Sequence, residues 1–127
     1  MNHELGSKAA VFRLNFGAVG NTDIIITPKD GSLSLDYNGV LYTVNASALI
    51  PSDSINPKIG DKLLTGKQCW LIIGTNTAPH DFGISLDLVA IDDPAPNIVI
   101  INGKRVTYKI DNNGQIEVDK EGNFITI

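Results

Sequence analysis

The stretch LSLDYNGVLYTV, residues 33–44, decides the fold class, because apolar and polar side chains alternate on both sides of an Asn-Gly pair. Asn38-Gly39 predicts a two-residue type I′ turn, whose central residues both need a positive φ that Asn and Gly adopt at little cost. The turn fixes a hairpin register with the apolar cross-strand pairs Tyr37–Val40, Leu35–Tyr42 and Leu33–Val44. Every large apolar side chain except Leu41 then falls on one face, as a one-sided core requires.

The two-residue period continues on the N-terminal side of this hairpin, and the helical period persists over no long window. Residues 10–16 alternate, which predicts a strand with Phe12, Leu14 and Phe16 on its buried face. We expect a turn over residues 17–21. A strand should follow over residues 23–27, because successive isoleucines suit a strand that is covered on both faces.

The longest stretch without clear alternation is residues 46–66. We expect mostly loop there, with a brief strand over residues 62–65, and a short helical turn over residues 46–50 is the alternative that the pattern leaves open. Loops of this length are uncommon in compact domains unless they serve function or assembly.

The apolar run QCWLIIG, residues 68–74, predicts a central strand. Cys69 and Trp70 lie inside this run, so we expect both to be core residues and not a reactive thiol or a sugar-stacking surface. Residues 84–91 alternate again and predict the next strand, and the polar segment NTAPHDFG, residues 76–83, predicts the loop between the two.

Two prolines within residues 92–96 remove ladder donors, and beyond them the pattern predicts a β-meander. Asn102-Gly103 predicts a second type I′ turn that places Val99 opposite Val106. Residues 112–114 (NNG) predict a three-residue turn with the pairs Ile110–Ile116 and Tyr108–Val118.

The last turn has two interpretations. A two-residue loop at Glu121-Gly122 would pair Val118 with Ile125, whereas a three-residue loop ending at Gly122 would pair Val118 with Phe124. Burial favours the first, although a positive φ at Glu121 opposes it.

About nine to eleven short strands at regular turn spacing predict an all-β fold, either an antiparallel β-sandwich or a partly open barrel, with a C-terminal β-meander. A solenoid or β-helix is the less favoured alternative, because no long internal repeat is evident and the likeness of the DNNG and KEGN turns is what any meander produces. At 127 residues the chain matches a single domain, residues 1–127, in which we expect residues 1–8 to be a flexible tail.

The net charge of -4 and the scattered positions of the 10 Lys and Arg residues argue against a nucleic-acid or anionic-membrane partner. No apolar run approaches the roughly 20 residues of a membrane helix, and residues 1–12 contain no apolar stretch of signal-peptide length. We therefore expect cytoplasmic synthesis without a secretory signal, with a virion as one candidate location.

His80, Asp81, Asp92 and Asp93 are the candidate ligand-binding residues. His80 is the histidine that a site would have to use, because His3 falls in the predicted tail. The simpler interpretation is an exposed loop histidine beside turn-forming aspartates. The chain contains no nucleophile elbow, phosphate-binding loop or dinucleotide fingerprint, so we predict no catalytic residues and no cofactor.

Asp111, Asn113, Asp119 and Glu121 are spaced like the oxygen ligands of a calcium loop. The required glycine position and flanking helices are missing, so we interpret these residues as turn formers. One ordered histidine and one cysteine are too few for a zinc site, and we predict no metal.

These observations favour a non-catalytic structural or protein-interaction module, as in a phage tail, another virion part or a surface adhesin-like domain. Ile98 and Ile100, beside Arg105 and Thr107, are apolar outer-face residues that could bury against protein partners or a second copy in a homo-oligomer. The second hypothesis is a domain that binds a small molecule or carbohydrate between its loops. The third is a hydrolase with two carboxylates from Asp81, Asp87, Asp92 and Asp93 about 5 to 10 Å apart.

Overall fold

The computed structural model describes residues 7–77 and 83–127, and in these ranges all regular secondary structure is β-strand. Ten strands follow in chain order: β1 Ser7–Arg13, β2 Gly17–Pro28, β3 Ser34–Tyr37, β4 Val40–Thr43, β5 Ala46–Ile50, β6 Lys62–Thr65, β7 Gln68–Thr77, β8 Ile84–Ile91, β9 Ile98–Ile101 and β10 Lys104–Thr107. The all-β prediction is confirmed. The described part of the chain has no helix long and apolar enough to cross a membrane.

Six strands close into an antiparallel barrel in the order β1-β2-β5-β8-β7-β6, with β6 pairing back onto β1. All six contribute buried aliphatic side chains to the interior: Ala9, Val11, Ile24, Ala46, Ala48, Ile50, Leu63, Ile72, Leu86 and Leu88. Several of these residues are alanines, which suit a narrow barrel that is filled by its own side chains.

Two further layers cover the outside of the barrel. The β9–β10 hairpin and the C-terminal segment pack against β1 around Phe12 and Tyr108, whose ring centroids are 5.9 Å apart. The β3–β4 hairpin packs its two tyrosines and Leu35 against Ile73 and Val89, on the outside of β7 and β8. These layers explain why β1 is buried on both faces, with interior and outer residues alternating along it.

Both Asn-Gly hairpins form as predicted. The φ angles are 53° at Asn38 and 80° at Gly39, and 51° at Asn102 and 79° at Gly103. The predicted cross-strand pairs Leu35–Tyr42, Tyr37–Val40 and Val99–Val106 are present, and the Val44 N–H donates to the Leu33 carbonyl at 2.9 Å.

The first strand differs from its predicted bounds at both ends. It begins at Ser7, inside the expected tail, and it ends at Arg13. Residues 14–16 form the turn, with Asn15 at φ 60°, and β2 already begins at Gly17. Leu14 and Phe16, expected in the core, are therefore 68% and 60% exposed.

Residues 46–50 form barrel strand β5, so the expected loop and the alternative helical turn are both wrong there. Ala46, Ala48 and Ile50 alternate into the barrel, but two of the three are alanines, which carry little pattern signal. The strand predictions that follow along the chain are confirmed. β6 and β8 have the predicted bounds, and β7 extends beyond its predicted end to Thr77.

The C-terminal segment is not the flat meander that we expected. Ile110 pairs with Ile116 as predicted, but Tyr108 pairs with Thr126 and Val118 pairs with Phe124. The last turn is thus the three-residue alternative, because Gly122 takes the positive φ of 84° and Glu121 avoids one. Lys109, Glu117 and Ile125 are joined in a triangle by three backbone hydrogen bonds of 2.9 Å each. The Lys109 N–H donates to the Ile125 carbonyl, the Ile125 N–H donates to the Glu117 carbonyl, and the Glu117 N–H donates to the Lys109 carbonyl. We call this arrangement the C-terminal triangle.

Candidate functional site

An apolar groove of about 230 Å³ lies between the end of β1 and strand β9. We call it the β1–β9 groove. It is lined by Phe12, Arg13, Leu14, Gly60, Lys62, Pro96, Ile98, Val99 and Ile100. Its base is formed by buried side chains, and its rim by exposed apolar ones, so it can accept an apolar side chain from outside.

The turn at residues 14–16 forms one wall of the groove and is fixed to β9. The Asn15 N–H donates to the Ile100 carbonyl at 2.9 Å, and the Asn102 N–H donates to Asn15 Oδ1 at 3.3 Å. Asn15 tolerates the left-handed conformation that this turn requires. These bonds hold Leu14 and Phe16 outward on an ordered backbone.

A salt bridge beneath the turn fixes it from the other side. Arg13 Nε and Nη2 donate to the two oxygens of Asp61 at 2.9 and 2.8 Å, and the Lys58 N–H donates to the same carboxylate at 2.8 Å. Asp61 is only 1% exposed, and its hydrogen bond raises the pKa of Arg13. The Arg13 guanidinium also lies 5.1 Å from the Phe16 ring centroid, within cation–π range.

A second ion pair involves Lys62, another residue that lines the groove. Lys62 Nζ lies 2.6 Å from Asp93 Oδ2, and the Ala95 N–H donates to Asp93 Oδ1 at 3.0 Å. Burial opposes ionisation of Asp93, but these hydrogen bonds and the Lys62 charge outweigh it and lower its pKa. Both cations that line the groove are therefore neutralised by carboxylates, which leaves its floor apolar and without net charge.

The outer face of the β9–β10 hairpin continues the apolar surface. Ile100 is 40% exposed and sits directly across from Arg105, while Ile98 is half-buried and sits across from Thr107. Arg105 has no ion pair among residues 7–77 and 83–127. The face expected from the sequence is therefore present, and Leu14 and Phe16 enlarge it.

Of the four ligand-binding candidates, the structure brings Asp92 and Asp93 together at one polar pocket, which Lys67, Gln68 and Ile91 also line, and a site shared with His80 and Asp81 stays a prediction. His80 and Asp81 lie outside the described residues. Asp92 is exposed, and the Asp93 carboxylate forms an ion pair with Lys62. Asp87 is five residues before Asp92 along an extended chain, or roughly 16 Å away, which exceeds the spacing of glycosidase carboxylates.

The barrel interior offers no support for a ligand inside it, because it is filled by the aliphatic side chains named above. Trp70 is half-buried against this core, and its indole N–H donates to Thr65 Oγ1 at 2.9 Å. The Trp70 side chain is thus a structural element at the barrel wall, as the sequence predicted.

The aspartates of the C-terminal turns accept hydrogen bonds from backbone N–H groups of their own turns. Asp111 Oδ1 accepts from the N–H groups of Asn113 and Gln115 at 2.8 and 3.0 Å. Asp119 Oδ1 accepts in the same way from residues 121 and 123, each at 2.9 Å. The turn interpretation is confirmed, and no metal-ligand cluster is found within the described ranges.

Cys69 is buried, as predicted. Burial, followed by the nearby Asp93 charge, raises the pKa of its thiol to about 11. A thiol of this kind is protonated at neutral pH and is a poor nucleophile.

The sequence carried one unused signal for the groove. Asn15-Phe16-Gly17 places turn-forming residues on both sides of Phe16, which indicates a turn at the point where we extended the strand. Comparisons of the chain with protein-family models, curated proteins and solved structures gave no match.

Proposed function

We propose that the chain is a protein-interaction module that docks an apolar side chain of a protein partner into the β1–β9 groove. The observation that carries this proposal is the pair Leu14 and Phe16, which are 68% and 60% exposed on a turn held by hydrogen bonds and a part-buried salt bridge. Docking of this kind is expected of a subunit in a larger assembly, such as a virion part or an adhesin-like surface domain.

The exposure of these side chains has an energetic meaning. Fully burying a side chain the size of Leu or Phe contributes about 1.5–3 kcal/mol. Because the turn is already ordered, little conformational entropy is lost when a partner covers it. Rigid apolar anchors beside a pocket are the arrangement found at binding hot spots.

The charge around the groove indicates the chemistry of the partner. Ile100 lies across from Arg105, and Lys104 precedes Arg105 in the chain, so positive charge lies beside the exposed Ile100 side chain. The floor of the groove is neutral, because its two cations are paired with carboxylates. A partner segment that combines an aromatic or aliphatic anchor with a neighbouring Asp or Glu complements this surface.

The proposal is tested by selecting peptides from a displayed random library against the immobilised protein. We expect the selected peptides to combine an apolar anchor with an acidic residue. Their binding should weaken at least about tenfold in Leu14→Glu or Ile100→Glu, since burial of one such side chain is worth at least a tenfold change.

Val118→Glu is the matched control, because Val118 is 51% exposed and lies in the C-terminal triangle away from the groove lining. Binding should survive this change. Peptides that bind Leu14→Glu as tightly as the unmodified chain would dock elsewhere and would overturn the proposal.

A further inference from the structure

Strand β4 has a free edge with which no other strand of the described chain pairs. In the β3–β4 hairpin, Tyr37–Val40, Leu35–Tyr42 and Leu33–Val44 are the hydrogen-bonded pairs, as a two-residue turn requires. The backbone N–H and C=O groups of Leu41 and Thr43 therefore point away from β3. Neither residue has another backbone partner within residues 7–77 and 83–127.

The side chains on this edge do not prevent pairing. The strand Val40-Leu41-Tyr42-Thr43 has no charge and no proline, and its register with β3 is regular. Leu41 is 71% exposed and Val40 is 50% exposed. Natural edge strands are normally blocked by Lys, Pro or a bulge, so an edge with none of these is open to another strand.

The other exterior hairpin has such protection. The free edge of β10 starts with Lys104 and Arg105, and its far end is covered because the Ile127 N–H donates to the Thr107 carbonyl at 2.8 Å. The chain thus protects one outer edge with cations and a covering segment, and leaves β4 without either.

We propose that β4 pairs antiparallel with β4 of a second copy of this chain, which joins two β3–β4 hairpins into a continuous sheet. A two-fold axis at Tyr42 places Leu41 opposite Thr43 of the second copy. Both residues point their backbone groups outward, so this register satisfies their donors and acceptors in reciprocal pairs.

The side chains are compatible with the same register. Leu41 lies across from Thr43 of the second copy on the outward face, so an exposed apolar side chain gains a β-branched neighbour. Asp36 is the hairpin's charged residue, and it sits on β3, one strand further from the axis. The two copies of Asp36 are then about three strand spacings, or roughly 14 Å, apart, where repulsion is screened.

A four-residue edge buries less than the ~1,200 Å² of a standard interface, so the pairing is weak on its own. It becomes effective where copies are held close together, as in an assembly. This surface is separate from the β1–β9 groove, and either proposal can fail without the other.

Sedimentation equilibrium from about 10 µM to about 1 mM tests the pairing. We expect the weight-average mass of the unmodified chain to rise toward a dimer over this range. Leu41→Lys should remain monomeric because it places a cation on the edge, and Thr43→Pro should do so because it removes an outward N–H that has no partner within the described part of the monomer. Val118→Glu, the matched exposed control, should dimerise like the unmodified chain.

Amide hydrogen exchange provides a second readout that does not depend on the variants. The Leu41 and Thr43 amides should be unprotected at the lowest concentration and become protected as dimer forms, while the Val40 and Tyr42 amides should be protected throughout. A mass that stays monomeric over the whole range overturns the proposal. So does a dimer that persists undiminished in both Leu41→Lys and Thr43→Pro, or a dimer of the unmodified chain in which the Leu41 and Thr43 amides still exchange freely.

Discussion

Replacing Asp61 by Asn tests how the groove wall is held. The carboxylate is almost fully buried and accepts hydrogen bonds from Arg13 Nε, Arg13 Nη2 and the Lys58 N–H. The substitution keeps the side-chain volume but removes the charge and leaves the guanidinium of Arg13 without its counter-ion. Breaking a fully buried ion pair by removing one partner costs about 3–5 kcal/mol. Because the Arg13 side chain keeps 23% of its surface exposed, we expect Asp61→Asn to lower the unfolding free energy by an amount at the lower end of this range, about 3 kcal/mol.

Urea unfolding followed by Trp70 fluorescence and circular dichroism measures this cost. With an m-value of about 1.5 kcal/mol per molar urea, the midpoint should fall by about 2 M. The control is Asp23→Asn, which removes the exposed ion pair of Asp23 with Lys8 and should cost under about 1 kcal/mol. If the two variants shift the midpoint equally, the Arg13–Asp61 pair does not anchor the turn as we describe.

Three more outcomes follow from single residues. Gly17→Ala should destabilise the fold by about 1–3 kcal/mol in urea unfolding, because Gly17 has φ 115° and the Tyr108 hydroxyl occupies the space that a Cβ needs. In Asn21→Leu, limited proteolysis should cut the C-terminal segment before it cuts the barrel. The reason is that the Asn21 side chain accepts a hydrogen bond from the Ile116 N–H at 2.8 Å and donates one to the Ile116 carbonyl at 2.9 Å. Equal cleavage of this segment in the variant and in the unmodified chain would contradict the prediction. Burial raises the pKa of the Cys69 thiol from 9.0 to about 11, so the folded protein should resist a thiol reagent at pH 8, and rapid labelling of folded protein at this pH would contradict the prediction. The contribution of the protonated thiol to stability should be complete below pH 9 and lost as the pH rises toward 11.

Local turn chemistry explains the parts of the fold that the sequence predicted well. Asn38-Gly39 and Asn102-Gly103 fix their hairpins because the two-residue turn leaves one register, and the observed pairs match it. β8 was also clear, because apolar and polar residues alternate from Ile84 to Leu88. In each case the deciding information lies within about ten residues, which is the range of local pattern analysis.

Long-range pairing explains the parts that the sequence did not predict. β5 has Ala46 and Ala48 on its interior face, and only closure of the barrel shows that a narrow interior needs such small residues there. The C-terminal triangle depends on bonds between residues eight and sixteen apart, which a meander model does not contain. Barrel closure through β1 and β6 likewise joins segments about fifty residues apart, and no single-sequence pattern encodes it.

The candidate site was predicted only in part. Ile98, Ile100 and Arg105 were expected on an outer face because they alternate with core residues of a hairpin. The alternating pattern predicts that Leu14 and Phe16 lie in the core, whereas both are exposed, because hydrophobicity alone does not distinguish a core residue from an exposed binding anchor. The burial of Asp61 depends on Arg13, 48 positions away in the chain, and was not predicted.

A nuclear Overhauser spectrum of the unmodified chain tests most directly whether the chain turns at residues 14–16 and displays two apolar anchors beside β9. We expect cross-peaks between the Asn15 amide and the Hα protons of Ile100 and Ile101, with the Phe16 ring close to Arg13. Cross-peaks from the Phe16 ring to Ile116 would instead place Phe16 in the core, on a strand that runs past Arg13, and the groove would not exist.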